Sequence, residues 1–257
     1  MRPGLVGPCL LPGPGRLGIP AGRGRRRRLS VTWQRPTTAS SFEMPTVPAP
    51  DGERGDESVL VLLVIDESPS EQAVDPQGYR HVAARRMVEL LRTELKHKGD
   101  RVACVHFSTE PRPWLSQTNP HTKIGRQALR QMLRPVGGAA GTDIRAALRR
   151  AADLVPRAWD GLVLVVLLSD GQDRSTAEQL ASRVERFPVG SVHVISIGSQ
   201  LPSTWNDVPL GSTSVIPSLA RPDEVEWAAT QALYGALGVG WARPTQPPSS
   251  STQGRKP

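Results

Sequence analysis

Two wholly apolar runs constrain this chain more than anything else in it, Val59 to Ile65 and Leu162 to Leu168, and Val192 to Ile197 reads as a further buried strand that carries His193 and Ser196. Neither apolar run alternates apolar with polar residues as a half-exposed strand would. A strand that is apolar at nearly every position needs cover on both faces, the condition inside a parallel sheet flanked by helices. Stretches with a helical apolar period separate the runs. Gly78 to about His97 reads as one helix, with Tyr79, Val82, Ala83, Met87, Leu90, Leu91 and Leu95 on one face and Gly99 as a plausible C-cap neighbour. Arg101 to Phe107 is a second strand, and Trp114–Leu115 a short edge strand beside two prolines.

Further along, Ile124 to Leu133 reads as a short helix stopped by Pro135. Asp143 to Val155 is another, with Ile144, Ala147, Leu148, Ala151 and Val155 as its buried stripe. Ser175 with Glu178 has the spacing of a capping box, ahead of an inward face of Leu180, Ala181, Val184 and Phe187. Ser214 to Ile216 is a last short strand, and a final helix starts near Pro222 and ends before Gly238. Strands alternating with helices define an α/β fold, doubly wound, with helices on both faces of a mostly parallel sheet.

The first run delivers Asp66, then Ser68 and Ser70. A carboxylate and two hydroxyls on one tight loop are hard oxygen donors, suited to a hard divalent cation such as Mg²⁺. Thr142 follows a Gly-rich stretch at the start of a helix, and Asp170 follows the second apolar run. An Asp-x-Ser-x-Ser string is common by itself. Its place at the exit of a strand, with a Gly-flanked Thr and a second strand-then-Asp downstream, gives it meaning. In open α/β sheets, ligands bind beyond the carboxyl ends of the strands, and both aspartates leave strands at that end.

These residues resemble the metal-ion-dependent adhesion site of the von Willebrand factor type A domain, over about residues 59–240. The resemblance implies a Rossmann-like six-stranded sheet ordered 3-2-1-4-5-6, and an ion held by Asp66, Ser68, Ser70, Thr142 and Asp170. The ion would be Mg²⁺ or Mn²⁺, with Ca²⁺ also compatible with these ligands. It also implies a protein partner whose Asp or Glu side chain fills the open coordination position. Type A domains of this kind also work beside AAA+ ATPases of the chelatase and MoxR kind. Two departures stand out: Pro69 replaces the usual Gly between the serines, and Glu71 adds a charge where a small or apolar residue is common.

Other chemistries find less support. A dehalogenase-type phosphatase needs a second Asp where Ser68 stands, so the general acid/base is missing. The loop at 137–142 has no Lys before Thr142, which argues against a phosphate-gripping loop, and no Gly-x-Ser-x-Gly elbow exists. His106 and His193 read as strand residues and His97 as the end of a helix, while His81 and His121 have no ligand spacing. A binding module, not an enzyme, is expected; a metal-dependent hydrolase or phosphoryl-transfer enzyme is the alternative.

The apolar share, 38%, is low because the ends are polar. Residues 1–57 read as an Arg/Pro/Gly-rich leader, 58–240 as the folded domain and 241–257 as a disordered tail. Residues 1–43 hold eight arginines and one acid, so seven of the net +8 charges lie there, and Met44 is an alternative start. Without aromatic interleaving beyond Trp33, that cluster is a weak case for nucleic acid. No apolar run approaches the ~20 residues of a membrane helix, and no signal-peptide core is present. Only Cys9 and Cys104 occur, so no disulfide framework argues for export and a cytoplasmic protein is expected. Usage of 28 Arg against four Lys suggests a GC-rich bacterial source.

Overall fold

The computed structural model describes residues 55–138, 141–198, 200–217 and 222–237. The leader up to residue 54, with the alternative start at Met44, and the expected tail at 241–257 lie outside the described residues. Six strands form one sheet in the order β3-β2-β1-β4-β5-β6: β1 Val59–Asp66, β2 Arg101–Phe107, β3 Pro111–Thr118, β4 Leu162–Leu168, β5 Val192–Gly198 and β6 Ser212–Pro217. All neighbours are parallel except β2 and β3. The two wholly apolar runs become β1 and β4, paired at the centre of the sheet, and β5, with His193 and Ser196, lies beside β4. The proline-bearing strand β3 takes the edge, where a missing N–H costs no ladder bond.

Six α-helices connect the strands: α1 Pro69–Val74, α2 Tyr79–Thr93, α3 Lys123–Met132, α4 Ile144–Asp153, α5 Ala177–Val184 and α6 Pro222–Ala236. The period-2 alternation of β1 sorts them into two layers. Val59, Val61, Leu63 and Ile65 point into a core shared with α2, α3 and α6. Leu60, Leu62 and Val64 point into a second core with α4 and α5. Every residue of β1 is buried, as a strand covered on both faces requires. Cys104 lies wholly inside, and burial pushes its thiol well up, so it packs as a small hydrophobe.

Local differences from the sequence reading have physical causes. The capping box opening α5 is Thr176 with Gln179, not Ser175 with Glu178; the hydroxyl of Ser175 instead donates to Asp173 Oδ2 at 2.9 Å. The helix expected over 78–97 stops at Thr93. Its first N–H groups are served from outside, because the Asp75 carboxylate accepts from Tyr79 at 2.7 Å and from Arg80 at 3.0 Å. The N-cap of α4 is Asp143, one residue beyond Thr142, with its side chain accepting from Ala146. The edge strand runs over eight residues, well past the expected pair.

Helix α1 has no counterpart in the sequence reading, and it explains Pro69. The Asp-x-Ser-x-Ser loop turns straight into this helix, with Ser68 as N-cap and the proline in the first turn. There its fixed φ suits the helix and its missing N–H would be unpaired anyway.

Candidate metal centre

The carboxyl ends of β1 and β4 adjoin, with Ile65 paired to Leu168. Asp66 closes β1 and is fully buried. One of its oxygens, Oδ1, accepts the Ser68 backbone N–H at 2.8 Å, which folds the loop back on its own carboxylate. The other, Oδ2, accepts the Ser169 hydroxyl at 2.6 Å. Ser68 Oγ and Ser70 Oγ lie 3.0 Å apart. Ser68 is buried while Ser70 is exposed, so the hydroxyls run from the floor of the site to its rim.

Asp170 follows β4 by two residues and is 2% exposed. Its loop is pinned on several sides. Oδ1 accepts the Gln172 N–H at 2.9 Å, and the indole N–H of buried Trp205 donates to the Gly171 carbonyl at 3.2 Å. Gly171 itself has φ +72°, and a Cβ there would stand 2.5 Å from Leu201, so glycine is required. Asp173 Oδ2 accepts the Ile144 N–H at 3.1 Å, tying this loop to the start of α4. Thr142 sits half-buried two residues before Ile144. Of the five expected ligands, Asp66, Ser68, Ser70 and Asp170 meet at one end of the sheet. Thr142 stands two residues before Ile144, whose N–H bonds the Asp173 side chain of the Asp170 loop.

A further acid joins them. Ligand oxygens of Asp66, Glu71 and Asp170 all lie within 4.8 Å of one another, and all three residues are buried. Both oxygens of Glu71 lack a hydrogen-bond partner. Burial, with Asp66 close by, pushes Glu71 up to about 9. Burial also lifts Asp66 to about 6, against the pull of its bonds to Ser169 and Ser68. Three buried acids of like sign must either hold protons or share a cation. The donor set is all oxygen (carboxylates and hydroxyls), which fits a hard divalent ion.

Sequence reasoning missed Ser169, which anchors Asp66; the signal was a hydroxyl between a buried strand and the second aspartate. It noted Glu71 as a nearby charge able to occupy the ion's open position, and the structure puts that carboxylate beside Asp66 and Asp170. It also set aside His81 and His106, which the fold brings together beside Glu67.

Residues 61–172 match the family model of the von Willebrand factor type A domain, and that segment contains all five expected ligands and Glu71. The architecture is the type A fold, Rossmann-like and doubly wound.

Among solved structures, the chain is similar to a von Willebrand factor type A protein from Catenulispora acidiphila. The TM-score is 0.54 at 17% identity, covering 71% of this chain and 43% of that one. It is similar also to the conserved hypothetical protein BatB from Bacteroides thetaiotaomicron, with TM-score 0.51 and 16% identity over 70% of this chain and 99% of that one. A third is proximal thread matrix protein 1 from the mussel byssus, in a form whose MIDAS motif is occupied by zinc. There the TM-score is 0.53 at 18% identity, covering 71% of this chain and 46% of that one. The chain thus spans under half the length of two of these proteins. No curated protein matches it in sequence. None of the described helices is long and apolar enough to cross a membrane.

Proposed function

We propose that this chain is a metal-dependent protein-binding module. Asp66, Ser68, Ser70, Thr142 and Asp170 hold one Mg²⁺ or Mn²⁺, with Ca²⁺ able to substitute, and Glu71 contributes a sixth donor residue. The observation that carries the reading is the buried triad of Asp66, Glu71 and Asp170, with both Glu71 oxygens unpartnered. A divalent ion neutralises that triad and gives the orphaned oxygens a partner. The zinc-occupied motif of the mussel protein supports a metal at this end of the fold.

The ion would supply electrostatic attraction for an Asp or Glu side chain of a partner protein, arriving from the Ser70 rim. Glu71 sharpens this picture, since a partner carboxylate must compete with one the chain already provides. Only a partner that also makes good contacts around the rim would displace it, which favours specificity over raw affinity. Binding is preferred to catalysis because no histidine, cysteine or lysine stands among these donors to move a proton. The alternatives, a hydrolase or phosphoryl-transfer enzyme using the same ion, or a subunit beside a MoxR- or chelatase-type AAA+ ATPase, predict different behaviour. The cytoplasmic placement expected from the cysteine content is part of the same proposal.

The test is capture from source-cell lysate with the full chain as bait, in Mg²⁺, in EDTA, and as Asp66→Ala in Mg²⁺. A protein retained by wild type with metal alone supports the module. Identical captures under all three conditions contradict it, as does phosphate-ester turnover that Asp66→Ala abolishes.

A further inference from the structure

The alternation that sends Asp66 toward one face of the sheet sends the next residue toward the other. Glu67 continues the inward row of Val61, Leu63 and Ile65 into the layer of α2 and α3. On β2, His106 extends the row of Val102 and Cys104 on that same face, and it pairs in register with Ile65. From α2, His81 completes a triangle. Ligand atoms of Glu67, His81 and His106 lie within 4.8 Å of one another, and none of the three residues is more than 1% exposed.

The contacts inside this triangle are hard to satisfy with protein hydrogen atoms alone. His106 Nε2–H donates to the carbonyl of Met132 at the end of α3. A neutral His106 therefore presents a bare lone pair at Nδ1, and that atom faces Glu67 Oε1 at 2.7 Å, acceptor against acceptor. His81 Nε2 lies 3.2 Å from the same oxygen, an ionic contact outside good hydrogen-bond geometry, and His81 Nδ1 has no partner. A proton on His106 Nδ1 would relieve one contact and leave His81 unserved. A metal cation engages both rings and the carboxylate at once. Arg80 does not take that place: its guanidinium is held by Asp75 at 2.9 Å and reaches Glu67 Oε2 only at 3.5 Å.

We propose that Glu67, His81 and His106 form a second metal site, distinct from the oxygen-lined one, that takes Zn²⁺ through His81 Nε2, His106 Nδ1 and Glu67 Oε1. Two imidazoles and a carboxylate with one position open is a donor set zinc accepts, whereas Mg²⁺ avoids nitrogen. Donor atoms about 2.0–2.1 Å from a tetrahedral ion lie roughly 3.3 Å from each other. Of the observed 2.7 and 3.2 Å, the first needs to open by roughly 0.6 Å and the second by roughly 0.1 Å. The bond from His106 Nε2–H to a backbone carbonyl is the orienting contact that metal-bound histidines usually make. Because Glu67 directly follows Asp66, metal in this site would fix the root of the adjoining loop from behind. Gly138 closes over the Glu67 backbone so tightly that a Cβ would stand 1.9 Å from its carbonyl oxygen.

The experiment loads the chelator-stripped full chain with Zn²⁺ in excess Mg²⁺, desalts it and measures bound metal by mass spectrometry. Wild type and Asp66→Ala are each expected to keep one zinc per chain, and His81→Ala and His106→Gln almost none. Zinc lost with Asp66→Ala but kept by His81→Ala would place it in the oxygen-lined site and overturn the proposal. Wild type that keeps no zinc would reduce the triangle to a proton-sharing network. Should the histidine variants not fold, X-ray absorption on zinc-loaded wild type decides. Scattering from two imidazoles supports the site, and an all-oxygen shell refutes it.

Discussion

At the scale of single residues, Glu71 separates a cation site from an ordinary loop. Its carboxylate is buried beside two others and has no hydrogen-bond partner. Gln keeps the shape of the side chain but cannot offer the ion a negative charge. Glu71→Gln should leave the metal-free protein folded and weaken Mg²⁺ binding by on the order of tenfold. Calorimetric titration with Mg²⁺, set beside urea unfolding without metal, measures both; unchanged affinity would remove Glu71 from the site. The aspartates were legible because each follows an apolar run, where burial and position can be read together. Ser169 was not, since nothing in the string Leu168-Ser169-Asp170 says which neighbour its hydroxyl will meet. His81 and His106 were illegible for a stronger reason: they reach Glu67 from a different helix and a different strand.

Elements hold these residues in place, and the Asp170 loop depends on one that ligates nothing. The short 3-10 turn Ser203–Trp205 lends an indole N–H to the Gly171 carbonyl from a buried ring. Trp205→Phe removes that donor while keeping most of the packing. The expected cost is about 1–3 kcal/mol of stability for the orphaned carbonyl, with Mg²⁺ affinity lower by roughly tenfold, as for other contacts that orient ligands from behind. Thermal unfolding with and without Mg²⁺ checks this: the gap between the two curves should narrow. Strands β1, β2, β4 and β5 were read to within a residue, because buried runs have sharp ends, while β3 and β6 extend past the short stretches expected. Helix α1 was missed because its six residues are too few to show a period. The α5 box was read one residue early because Ser175–Glu178 and Thr176–Gln179 both satisfy the capping pattern, and the bond of Ser175 to Asp173 decides between them.

On the scale of the whole molecule, the sheet order follows from hydrophobicity. The two wholly apolar runs, in β1 and β4, occupy the centre, and the strands that carry polar residues or prolines flank them. Strand β5 carries a pH sensitivity that can be assigned away from the candidate metal centre. His193 on β5 is 6% exposed, with Nδ1 2.7 Å from the Ser212 hydroxyl on β6. Burial holds it below its ordinary value of 6.5. A base with a depressed folded-state value favours the fold while neutral, so its contribution is present above about 6.5 and is lost as pH falls through that value. Between about pH 7 and 5, His193→Gln should therefore lose less stability than wild type in urea titrations; parallel losses would contradict that role. The alternation of helices and strands was readable from period, whereas the strand order was an expectation carried by the family resemblance. The pairing of β2 with β3 was less readable, since an antiparallel edge strand with two prolines leaves little pattern to read.

Binding of Mn²⁺ to the metal-stripped full chain, followed by the loss of its free-ion paramagnetic resonance signal, bears most directly on the central claim. Wild type should bind one Mn²⁺ that Mg²⁺ displaces, and Asp66→Ala should bind no Mn²⁺ that Mg²⁺ can displace. Equal Mg²⁺-sensitive binding by both proteins, or none by wild type, would contradict the assignment of a cation to the end of this sheet.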